Sequence, residues 1–173
     1  MELTASGVTV EALDQELEQI FREHYRMVYR TAYGVTGNTA DAEDIVQTIF
    51  LRLLRQEMSP DLRKNPKAYL YKAAVNQSLN TIQATKRRIV IDDPERLRIP
   101  TAVPENNSAE EIHQRLYEAV AQLSPGAAHV LILRYVHNYS DAEIAKLLGT
   151  SRGTIAVSLY RSRSRLKKLM RAR

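Results

Sequence analysis

The chain has 173 residues, 44% of them hydrophobic, with only six glycines and six prolines; this fits one ordinary domain or two small ones and argues against a repetitive or unfolded chain. It contains no cysteine, which excludes disulfides and thiolate metal sites, and no apolar run approaches the roughly 18 residues of a membrane span. The net charge of +5 hides a block pattern: −5 over residues 1–60, +6 over 61–91, −4 over 92–123, zero over 124–150 and +8 over 151–173.

The N-terminal Met-Glu-Leu-Thr-Ala-Ser lacks the basic-then-apolar pattern of a signal peptide, so a cytoplasmic protein is expected. Leu17, Ile20, Phe21, His24, Met27, Val28, Thr31, Ala32 and Val35 then recur at helical spacing, and Gly37-Asn38 ends that helix. Asp41 to Arg55 reads as a second helix, buried through Ile45, Val46, Ile49, Leu53 and Leu54. Met58-Ser59-Pro60-Asp61 reads as a loop. Asn65-Pro66 supplies a cap and an N1 proline for a third helix running to about Arg88, with Tyr69, Leu70, Ala73, Ala74, Leu79 and Ile82 as its apolar positions. Residues 91–107 hold three prolines, an Asn-Asn pair and no helical period, the composition of a tether. Helix resumes at Ser108, with Glu111 as its capping-box partner, and Leu123-Ser124-Pro125 starts another that carries Val130, Leu131, Leu133, Tyr135 and Val136. The expected fold is all-α: two small helical domains, 13–90 and 108–173, each with its own core, joined by the flexible linker 91–107.

The stretch from Ser140 to Lys168 is the most specific. Ser140 and Glu143 have capping-box spacing, Ile144, Ala145, Leu147 and Leu148 form an apolar face, and Gly149 stands where a left-handed C-terminal residue is wanted. Ser151 caps a second helix whose Ile155 and Leu159 face inward at i, i+4, and no acidic residue follows Glu143. This is a helix-turn-helix pattern, in which the second helix enters a DNA major groove. Two basic blocks separated by an acidic one point to two phosphate-facing surfaces.

Four motifs occur in order: Asp-Ala-Glu-Asp-Ile-Val-Gln-Thr-Ile-Phe-Leu-Arg (41–52), Ala-Tyr-Leu-Tyr-Lys-Ala-Ala-Val-Asn (68–76), Leu-Ser-Pro (123–125) and the helix-turn-helix. Together they resemble the extracytoplasmic-function sigma factors of bacterial RNA polymerase, from about Leu17 to Leu169. The resemblance implies two helical domains, region 2 and region 4, with core polymerase and promoter DNA as partners and an anti-sigma factor as a further one. It places polymerase docking on Asp41, Glu43, Asp44, Gln47, Thr48 and Leu51, although Thr48 stands where an acidic residue is common. A carboxylate and an amide on one stripe suit charge-assisted pairing with arginine. The resemblance places capture of the melted −10 element on Tyr69, Lys72, Asn76, Asn80, Lys86, Arg87 and Arg88. Flat side chains, amides and cations on one helix are what single-stranded DNA requires. It assigns the −35 element to Arg152, Thr154, Ala156, Val157, Ser158, Tyr160, Arg161 and Arg163, where Ala156, Val157 and Ser158 replace the family's more polar and basic residues.

No cofactor or metal is expected, because the four histidines are scattered and no Gly-rich phosphate loop or Ser/His/Asp set stands out. Two other readings compete with a promoter-specificity subunit. One is a conventional helix-turn-helix regulator that binds duplex DNA as a dimer. The other is a nuclease using Asp41, Glu43 and Asp44 as a metal cluster.

Overall fold

A computed structural model describes residues 10–55, 58–92 and 109–171, and all its regular structure there is helical. The helices are α1 (Val10–Thr36), α2 (Thr39–Arg55), α3 (Pro60–Lys64), α4 (Pro66–Asp92), α5 (Ala109–Ala121), α6 (Pro125–Tyr135), α7 (Asp141–Leu148) and α8 (Arg152–Arg171). No described helix is long and apolar enough to cross a membrane. Most of the expected linker and the Ser108 cap lie outside the described residues.

Local signals set the helix ends. Gly37 closes α1 at φ +65°, and a Cβ there would run into the ring of Tyr117 on α5, so glycine is required twice over. Asn38 Oδ1 accepts the Asp41 amide at 3.1 Å and Asn65 Oδ1 accepts the Ala68 amide at 3.0 Å, capping α2 and α4. Ser124 caps α6 with proline at its first position.

Helices α1 to α4 close over one core, with Leu17, Ile20, Val28 and Ala32 meeting Ile45, Val46, Ile49, Phe50, Leu62, Leu70 and Ala74. A second core gathers Leu123, Val130, Leu131, Leu133, Ile144, Ile155 and Leu159 from the C-terminal helices. Burying side chains of this size contributes about 1.5–3 kcal/mol each before entropy is counted.

Four expectations are corrected. The loop at Met58–Asp61 instead leads into α3, which Ser59 caps by accepting the Leu62 amide at 3.2 Å. Five residues are too few to show a period, and fully buried Leu62 anchors them. The third helix extends past Arg88 to Asp92. Leu54 and Tyr135, expected inside, are 60% and 58% exposed. Leu54 lies at the edge of the α2 apolar stripe and Tyr135 is the last residue of α6, and helical spacing alone separates neither a rim nor a helix end from the core.

The fourth correction is that the two halves do not keep wholly separate cores. Val35 of α1 and Tyr71, Val75 and Leu79 of α4 belong to the second cluster. The Tyr71 hydroxyl donates to the His129 carbonyl at 2.6 Å, and burial pushes this phenol well above its ordinary pKa. Val136 sits so close to Gly34 that a Cβ there would meet its Cγ1 at 2.7 Å. Thr31 donates its only hydroxyl proton to the Met27 carbonyl at 2.8 Å, so it accepts at 2.8 Å from Nε2–H of a neutral His137.

Burial holds His137 down to about 4, with Arg30 and Lys67 adding repulsion. Burial, then the charge of Lys72, lowers His129 as well. The unfolded chain therefore binds more protons between the ordinary value of 6.5 and about 4, and stability falls as pH falls through that window. Thermal unfolding at pH 5 should come at lower temperature than at pH 7. His137→Gln, which keeps a donor for Thr31 but cannot titrate, should reduce that difference. An equal loss in both proteins would exclude His137 as the source.

Candidate nucleic-acid interface

Three exposed surfaces carry most of the residues singled out by sequence whose side chains are described. On α2, Glu43, Asp44, Gln47, Thr48 and Leu51 all face solvent, while Asp41 is half-buried in the first turn. Asp44, Gln47, Thr48 and Leu51 fall at i, i+3, i+4 and i+7, one stripe opposite buried Ile45, Ile49 and Leu53. None of the three polar members makes a side-chain hydrogen bond or ion pair among the described residues. Leu51 is 49% exposed, so the stripe couples a carboxylate and an amide to an apolar contact. That composition suits a protein partner with a cationic, partly apolar surface.

On α4, Lys72, Asn76 and Asn80 are exposed on one face, and Tyr69 is half-buried against the first core. Tyr69 and Lys72 also line a cleft of about 390 Å³, with Lys64 and Asn65 on one side and Lys146 and Gly149 on the other. Neither Lys64 nor Lys146 stands out in the sequence as a contact residue. Lys64 belongs to the basic block of residues 61–91, which was the one available signal for it, and Lys146 arrives only through packing. Arg87 is exposed, with Nε donating to the Gln83 carbonyl at 3.3 Å. Lys86 and Arg88 lie on α4, but their side chains are outside the described residues.

The helix-turn-helix is built as its caps require. Ser140 accepts the Glu143 amide at 3.3 Å, and its own amide donates to Glu143 Oε2 at 2.8 Å. Hydrogen bonds from the Ser140 hydroxyl and amide hold the Glu143 carboxyl below the usual carboxylate range. Gly149 takes φ 69°, and Ser151 Oγ accepts the Thr154 amide at 3.1 Å. Buried Ile155, Leu159 and Ser162 fix the inner side of α8. Arg152, Thr154, Ala156, Val157, Tyr160 and Arg161 are exposed, and Ser158 is half-buried.

Val157, Tyr160, Arg161, Ser164 and Lys168 fall at i, i+3, i+4, i+7 and i+11, the stripe farthest from the core. Arg163 is exposed as well but lies to one side of this stripe. Its Nε donates to the Leu159 carbonyl at 3.2 Å, and it lines a largely apolar cavity of about 490 Å³ between α1, α5, α6 and α8. Ser164 and Lys168 join the stripe in its place, a substitution legible from the 3.6-residue period once the inner side is known. Among the described residues, no group of three or more His, Cys, Asp or Glu is arranged to hold a metal ion, and Asp41, Glu43 and Asp44 form none.

Sigma-70 region 2 matches residues 20–88, from within α1 to Arg88 of α4, and a sigma-70 region 4 model matches 113–166, which hold α7 and α8 as far as Leu166. The ECF RNA polymerase sigma factor SigL of Mycobacterium tuberculosis is 28% identical over 150 residues, covering 83% of this chain and 82% of its own length. SigW of Bacillus subtilis, also an ECF RNA polymerase sigma factor, is 26% identical over 155 residues, covering 83% of each chain. Among solved structures, the sigma factor RpoE in complex with the anti-sigma factor NepR from Bartonella quintana is 22% identical, at a TM-score of 0.47 over 94% of this chain and 99% of that one.

Proposed function

Because this chain belongs to the extracytoplasmic-function sigma factors of the sigma-70 family, we propose a division of that family's work among its three exposed surfaces. As a sigma factor it joins core RNA polymerase and directs initiation at promoters; this membership supports a transcription regulator rather than an enzyme. The α2 stripe of Asp44, Gln47, Thr48 and Leu51 docks on the polymerase. The α4 face of Lys72, Asn76 and Asn80, continued by Arg87, holds the melted −10 strand. The outward stripe of α8 lies in the −35 major groove.

The supporting domain division is residues 13–90 and 108–173, with 91–107 between them, and the protein acts in the cytoplasm. An anti-sigma factor is its proposed antagonist. A dimeric regulator is not favoured, since region 2 and region 4 occur in one chain in the sigma-70 order.

The observation that carries the −10 assignment is the exposed, unpartnered face of α4 within a basic block. Lys72, Asn76 and Asn80 lie at i, i+4 and i+8, and none makes a side-chain hydrogen bond or ion pair among the described residues. Asparagine reads a base edge with a donor and an acceptor at once. Asn76→Ala should leave polymerase binding and −35 binding intact and reduce promoter opening about ten- to a hundredfold, the worth of a good amide contact to a base. Permanganate footprinting at one promoter checks this. Equal thymine reactivity in wild type and variant would make Asn76 a solvated helix residue.

A further inference from the structure

The first two turns of α8 offer a base edge few free hydrogen-bonding groups. Ser151 and Thr154 hold each other at 2.8 Å between hydroxyls, and Ser151 also takes the Thr154 amide. Gly153 has no side chain, and a Cβ there would meet nothing nearer than Ser151 Oγ at 3.9 Å, so the position is open. Outward from the helix stand Ala156, Val157 at 50% exposure and Tyr160 at 71%. Arg152 and Arg161 bracket this apolar stretch with charge. Val157 has no packing role that accounts for it: Ile155 and Leu159 already anchor the helix, at 2% exposure each.

Among the groups that base pairs present in the major groove, the thymine C5 methyl is the apolar one; the others donate or accept hydrogen bonds. Resting on the assignment of α8 to the −35 duplex, we infer that this chain reads thymine methyl groups through Val157, flanked by Ala156 and Tyr160. Arg152 and Arg161 set the register on phosphates on either side. A G·C pair at the same place would leave its donors and acceptors dehydrated against valine, an uncompensated loss. Specificity at that position is therefore for an A·T pair with its methyl turned toward α8.

The test uses holoenzyme reconstituted from core polymerase and the full chain. A −35 element is first selected from randomised duplexes. Each of its thymines is then replaced singly by uracil, which lacks only the methyl. The inference predicts a loss of about fourfold in affinity at one or two positions, the worth of one buried methyl-sized group. Val157→Ala should weaken binding to the thymine duplex and abolish the further loss on uracil at that same position. Because Val157 is half-exposed, an unchanged helical signal shows that the variant is folded. Uracil substitution without effect at every position overturns the inference while leaving the −35 assignment standing, as does a selected element lacking A·T pairs. Failure to select any upstream element removes the −35 assignment and the inference with it.

Discussion

Tyr71→Ala should cost about 3–5 kcal/mol of folding free energy, the usual range for truncating a fully buried aromatic ring. Tyr71 is 1% exposed and lies in the cluster that α4 shares with the C-terminal helices. Its ring meets His137 edge-on with centroids 5.9 Å apart, and its hydroxyl donates to the His129 carbonyl. The truncation therefore removes packing on both sides of the seam as well as a hydrogen bond. Tyr71→Phe keeps the ring and should lose only about 1 kcal/mol, the net worth of the bond. Urea unfolding of the three proteins separates the two contributions. A loss below about 1 kcal/mol for Tyr71→Ala would mean that the shared cluster does not hold the halves together in solution.

Asp44→Arg combined with Gln47→Ala should weaken the complex with core polymerase by about 2–4 kcal/mol, roughly thirty- to a thousandfold in affinity. The change removes a charge-assisted bond and places a like charge opposite a cationic partner. Both residues are exposed and make no side-chain hydrogen bond or ion pair among the described residues, so the fold should be unaffected. Co-elution with core polymerase checks the binding and circular dichroism checks the fold. Unchanged co-elution would remove the docking role from this stripe. A lost helical signal would assign both residues to the structure instead.

What could be read before folding was what is local in the chain. The Ser140–Glu143 capping box, the left-handed Gly149 and the Ser124-Pro125 start each depend on residues within four positions, and each forms as expected. The α2 stripe was legible for the same reason, since a 3.6-residue period assigns Asp44, Gln47 and Thr48 to the face opposite Ile45 and Ile49.

The seam was not legible. Thr31 and His137 are 106 residues apart, and nothing near either one announces the other. Tyr71 and Val75 do not stand out in the sequence because α4 is apolar on two sides, and the period of one helix cannot say which neighbour covers each. Arg163 is not distinguishable in the sequence from the other bases of the last helix, because charge alone carries no direction. Only the packing of α8 on α5 and α6 turned it toward a cavity.

The most direct measurement is run-off transcription with core polymerase on a library of randomised promoters, with and without this chain. Initiation should become promoter-selective only when the chain is present. The selected templates should share two elements, one melted near the start site and one upstream in duplex form. If the chain instead left the output of core polymerase unchanged and bound duplex DNA alone as a dimer, the assignment as a promoter-specificity subunit would be contradicted.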